Sequence, residues 1–109
     1  MKPVVWVGDS RERLREFPAQ AMWLAGHELE LVQAGREPKD WKPMPSVGLG
    51  VSEIRVRVGA AFRVIYMAKF AEAVYVLHAF QKQSQKTARA DIELAKRRFR
   101  AVIEERRRR

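Results

Sequence analysis

Polar and apolar positions along the chain change period several times, and each change marks an element. Lys2 to Val7 is a short run rich in β-branched residues that stops at Gly8-Asp9, which predicts a first strand. Asp9 and Glu12 have capping-box spacing, and Leu14 and Phe17 then supply an apolar side, so a short helix is expected up to Pro18. Pro18 suits the first turn of a second helix, along which Met22, Ala25, Leu29 and Val32 recur at helical spacing to about Gly35. Between residues 36 and 50, Pro38, Pro43, Pro45, Gly48 and Gly50 surround Trp41 and predict a long loop with a short strand near Val47.

From Ser52 the period becomes two. Ile54, Val56 and Val58 alternate with Glu53, Arg55 and Arg57, the mark of a strand with one buried face. After a turn at Gly59-Ala60, the stretches Ala61 to Ala68 and Ala73 to Phe80 are nearly continuously apolar, as in central strands covered on both sides. Their short connections predict an antiparallel meander. Beyond Gln81 to Lys86, Thr87 is placed to cap a last helix with the stripe Ile92, Ala95, Phe99, Val102 and Ile103. The expected order is βααβββα. This is an α+β layout of one layer on another, with two N-terminal helices beside a small antiparallel sheet and a C-terminal helix added. At 109 residues the chain suits one domain over residues 1–105, followed by a basic tail at 106–109 that is expected to fray.

Charge changes this picture more than composition does. The net charge is +9; Arg106 to Arg109 supply four charges, and the remaining 18 basic against 13 acidic residues still leave +5. Such an excess points to a polyanion, since cations that neutralise phosphates release counterions, and nucleic acid outranks a membrane surface here. The plainer alternative is that the charge keeps a small domain soluble. Absent cysteines exclude thiolate sites, and His27 and His78 are too few for a histidine cage, so no metal or other cofactor is expected. No apolar run is long enough for a leader or a membrane span, which predicts a soluble, cytoplasmic protein.

Arg55 and Arg57 project from the polar face of their strand, whereas Arg63 lies inside an apolar strand, where an unpaired charge is costly. Two readings of Arg63 follow: an ion pair with a carboxylate such as Glu53, or a phosphate clamp, for which the guanidinium fork is suited. His78 alternates with Val76 and Phe80 and reads either as a hydrogen-bonded structural histidine or as a catalyst. Tyr66 is either a core tyrosine or a proton carrier. Phe80 to Lys86 places an aromatic ring, Lys82, Lys86 and several amides at a strand exit, a composition suited to base stacking and phosphate contact. Together these side chains match the inventory of a metal-free ribonuclease, which must deprotonate a 2′-hydroxyl, stabilise the phosphorane and protonate the leaving oxygen. Gly48-Leu49-Gly50 lacks the further glycine and lysine of a phosphate loop.

Six stretches in order also resemble toxins of the RelE superfamily, in particular its HigB-like, phage-related branch. They are Trp6-x-Gly8-Asp9-Ser10, Leu29-x-x-Val32-Gln33-x-Gly35, Asp40-Trp41-Lys42-Pro43-Met44, Gly48-x-Gly50-Val51-x-Glu53-Ile54-Arg55, Arg63-Val64-Ile65-Tyr66, and Leu77-His78-x-Phe80-x-Lys82-x-x-Gln85-Lys86-Thr87. The resemblance implies a RelE-like fold and cleavage of messenger RNA, often on the ribosome. It also implies neutralisation by a helix-turn-helix antitoxin. It puts Arg55 and Arg63 on the phosphate, and makes Tyr66, His78, Lys82 and Lys86 candidates for proton transfer or charge stabilisation; Arg57 and Phe80 join as RNA contacts from the residue reading. The chain departs from the pattern at Gln81-Lys82, where such toxins commonly show two lysines, and at Ala88, where a proline often stands. Two rivals remain: a non-catalytic RNA-binding module or inactive toxin homologue that binds an antitoxin, and a protein whose basic surface holds an acidic partner.

Overall fold

The computed structural model describes residues 1–109. Five strands, β1 (Val4–Trp6), β2 (Trp41–Pro43), β3 (Val51–Val58), β4 (Ala60–Met67) and β5 (Val74–Lys82), form one sheet in the order β1-β5-β4-β3-β2. Three helices accompany it: α1 (Ser10–Arg15), α2 (Ala19–Gln33) and α3 (Arg89–Arg107). The chain is thus α+β, with the layout expected of a RelE-like fold. β2 to β5 run antiparallel to their neighbours, but β1 lies parallel to β5, so the sheet is mixed rather than wholly antiparallel. No tight turn joins β1 to β5, so local sequence leaves their relative direction open. Gly59, at φ +70°, makes the tight β3–β4 turn, a conformation open to a residue without Cβ.

Helices cover both faces of the sheet, which makes three layers instead of the two expected. On one face Leu14 of α1, Phe17 of the α1–α2 connection, and Ala25 and Leu29 of α2 pack against Ile54, Phe62, Val64 and Val76. On the other, Ala95 and Val102 of α3 pack against Ile65, Met67, Tyr75 and Leu77, joined by Met44 and Val47 from the β2–β3 loop. Strands buried on both sides explain why β4 and β5 read as continuous apolar runs.

Several local expectations give way to tertiary contacts. The strand in the Pro-rich loop is Trp41–Pro43, not near Val47; it adds to the edge of β3, where Pro43 needs no donor, while Val47 turns into the core. Asp9 precedes α1 but forms no side-chain cap, because its carboxylate is taken by Arg98 and Arg13. Ala88, not Thr87, precedes α3. The arginine tail does not fray at residue 106: α3 runs to Arg107, and Arg106 pairs with Glu72 and lies 3.5 Å over the Phe70 ring. That pairing holds the Glu72 carboxyl down at about 2. No helix is long and apolar enough to cross a membrane.

One irregularity shapes everything downstream of it. Ile65 pairs with His78 while Tyr66 pairs with Val76, which makes Leu77 an extra residue in β5. Such a bulge re-aims the side chains beyond it. Val76 and Ala79 face α1 and α2, whereas Leu77 and Phe80 face α3, and His78 reaches Asp91 of α3. Simple alternation, which set His78 on the same face as Val76, fails at this point.

Candidate functional site

Three rows of cross-strand neighbours follow one another on the α3 side of the sheet. They are Glu53, Ile65 and His78; then Arg55, Arg63 and Phe80; then Arg57, Ala61 and Lys82. Directly paired residues project from the same face. α3 begins beside the first row, where Asp91 meets His78, and the third row lies beyond its core. Four cations therefore gather at the end of the sheet that α3 leaves open. Lys42 joins them from β2, since it pairs with Glu53; it belonged to the resemblance but was missed as a site residue. Its signal was faint, because Pro38, Pro43 and Pro45 made the segment read as a loop.

Glu53 organises this face. Its carboxylate is 1% exposed, and the same oxygen stands 3.4 Å from Arg63 Nε and 3.6 Å from Arg55 Nε. No hydrogen bond fixes either contact, so the attraction is coulombic. Of the two readings of Arg63, the ion pair is present. One carboxylate cannot neutralise two guanidinium groups, and the pair keeps a positive surplus available to an anion. Arg63 is buried and also donates through Nη1 to the carbonyl of Phe62 at 3.1 Å. Burial pulls its pKa down, and Glu53 pulls it back up.

The remaining cations are more open. Arg55 is partly buried and Arg57 exposed. Lys82, half-buried, has its pKa lowered first by burial and then by the nearby Arg63, against the pull of Glu53. Lys86 is exposed in the connection from β5 to α3.

Three expected site residues sit differently. The His78 ring is completely buried, with Nε2 at 2.8 Å from Asp91 Oδ1, a contact that ties β5 to the start of α3. Burial pushes its pKa below the usual histidine value, and Asp91 acts against that shift. Phe80 stacks on His78 with ring centroids 5.0 Å apart, is 9% exposed, and joins the core on the α3 side while bordering a cavity of about 330 Å³ with Arg13 and Gln83. Tyr66 faces α2 on the opposite side of the sheet, where burial raises its pKa and Ser52 opposes the rise. It lines a separate cavity of about 370 Å³ with Trp41 and Ser52. Tyr66 and Arg63 therefore stand on opposite faces of the sheet.

No curated protein matches the chain. A family model described as "Phage derived protein Gp49-like (DUF891)" matches residues 12–100, which takes in every residue of the cationic face. The chain therefore belongs to the phage-derived Gp49-like family, a toxin-like family within the RelE/ParE-like toxin superfamily.

Proposed function

We propose that the chain is the toxin of a type II toxin–antitoxin pair of the HigB-like branch. In this reading it is an endoribonuclease that cleaves messenger RNA without a metal ion, with the ribosome, in the cytoplasm, and a helix-turn-helix antitoxin restrains it. Family membership supports the toxin role. The observation that carries the activity is the convergence of Arg55, Arg57, Arg63 and Lys82 on one face at one end of the sheet, with Arg55, Arg57 and Lys82 reaching its surface.

In RNA cleavage the 2′-oxygen bonds to phosphorus as the bond to the 5′-oxygen breaks, which needs an acceptor for the 2′-hydroxyl proton, charge stabilisation at the phosphorane and a proton for the leaving oxygen; solvent water takes the first proton in this reading. Arg55, a third exposed, supplies a forked donor for the phosphate oxygens, and the buried Arg63 adds positive charge behind it. Lys82 releases its proton more readily than an isolated lysine, for the reasons given above, and suits protonation of the leaving oxygen. Arg57 and Lys86 are exposed and track flanking phosphates. His78 and Phe80 act as positioning residues, holding β5 and the start of α3 in place. A non-catalytic RNA-binding module is the second reading, favoured by the burial of His78 and Tyr66, which leaves neither a histidine nor a tyrosine at the face.

The test is cleavage of messenger RNA by the purified protein in EDTA, naked and during translation. Cleavage is expected to survive EDTA, and a folded Arg63→Ala variant should lose about a hundredfold or more in rate. Arg57→Ala should weaken RNA binding and reduce its logarithmic salt slope by about one. Lys82→Ala should shift the alkaline limb of the pH–rate profile. Tight, salt-sensitive binding without cleavage in either setting would instead establish the binding module, and cleavage abolished by EDTA would remove the metal-independent mechanism.

A further inference from the structure

The far edge of the sheet is open in a different sense. β1 is bonded on one side alone: the carbonyl of Pro3 accepts from Val74, and the N–H of Val7 donates to the carbonyl of Val76. In a parallel ladder this places the backbone groups of Pro3, Val5 and Val7 toward β5. The N–H and C=O groups of Val4 and Trp6 therefore point away from the sheet, and no other backbone group bonds them. Natural sheets usually cover or blunt such an edge.

Apolar ground lies on both sides of this edge. Toward α3, a groove of about 350 Å³ runs over Val5, Val7 and Tyr75. Toward α1 and α2, another of about 300 Å³ runs over Leu14, Met22 and Leu29. Trp6 lines both, and Val5 is 39% exposed. A strand laid along β1 would send successive side chains to opposite faces, hence alternately into the two grooves.

Charge selects the occupant. Arg11 and Arg15 stand at the rim of one groove, and Arg109 stands with Glu105 at the other. The whole chain carries +9, so a second copy would bring like charge to the same edge. We propose that the β1 edge docks an extended segment of an acidic partner protein, which joins as a sixth strand with alternate apolar side chains in the two grooves. This inference does not rest on the nuclease reading. β5 meets β1 through residues 74–76 and ends at Lys82 on the cationic face, about 20 Å beyond Val76, so an added strand leaves that face open.

The probe is a synthetic peptide of alternating valine and leucine with two glutamates at each end, titrated into the ¹⁵N-labelled full chain. Expected are amide shifts and slowed exchange at Val4 and Trp6, and affinity at least about tenfold weaker when lysines replace the glutamates. Val4→Pro should weaken binding by about tenfold or more without unfolding the protein, because that N–H faces outward, where proline is tolerated at an edge. Val5→Glu, which places a charge in one groove and leaves the backbone intact, should do the same. Shifts confined to Arg55, Arg57, Arg63 and Lys82, or no binding, would overturn the proposal, as would variants that bind normally. Self-association of the free chain that Val4→Pro abolishes would overturn it too, by making a second copy the occupant. RNA cleavage by both variants at the native rate would show that the two ends of the sheet work separately.

Discussion

The two faces of β3 and β4 are built from alternate residues of the same strands and have opposite characters. Toward α1 and α2 stand Ile54, Val56, Phe62 and Val64, all buried and all apolar. Toward α3 stand Glu53, Arg55, Arg57 and Arg63, one carboxylate among three guanidinium groups. The first face is closed by helices along the strands; the second is closed only as far as the start of α3. Two-residue alternation lets one pair of strands serve a core and a charged surface at once, and substitutions should separate those roles.

The largest effect is expected on the apolar face. Phe62 is 2% exposed and meets Phe17 at 4.8 Å between ring centroids, so Phe62→Ala should cost about 3–5 kcal/mol in denaturant unfolding. Its signature should be lost stability with unaltered RNA affinity of the folded fraction. The charged face has its own structural demand. Glu53→Ala leaves Arg63 buried without its carboxylate and should cost about 3 kcal/mol, whereas removing both charges in Glu53→Met with Arg63→Met should recover most of that loss. Failure of the double variant to recover would mean that Glu53 contributes through packing, not charge.

The smallest effect is a pH dependence at the junction of the two regions. Burial holds the folded-state pKa of His78 below the ordinary value, so the neutral ring stabilises the fold above the unfolded pKa. That contribution is lost as pH falls through the lower, folded value. The melting temperature should therefore fall on acidification across this window, and less steeply in His78→Gln. Equal slopes would show that the attraction of Asp91 cancels the burial.

Most elements could be read from the chain because their signals are local. Helical spacing in α2, the two-residue period of β3 and the apolar runs of β4 and β5 each lie within a dozen or so residues. The misreadings share a physical cause. Trp41 to Pro43 becomes a strand because β3 offers it an edge, and Asp9 abandons its capping role because Arg98, 89 residues away in sequence, claims its carboxylate. Within the candidate site, Arg55, Arg57, Arg63 and Lys82 were legible as cations on adjacent strands. Lys42 was hidden in a Pro-rich stretch, and the bulge at Leu77 altered the places of His78 and Phe80.

What the sequence determined by itself was the class of elements, their order, the positive charge and the residue types able to hold a phosphate. Those follow from side-chain chemistry and short-range periodicity. Tertiary structure alone decided which cations share a face, that Glu53 stands between two of them, that Tyr66 lies across the sheet, and that β1 takes an exposed edge. Each of these depends on strand register, strand direction or a single inserted residue, and such long-range pairings leave no periodic trace in the segments that make them.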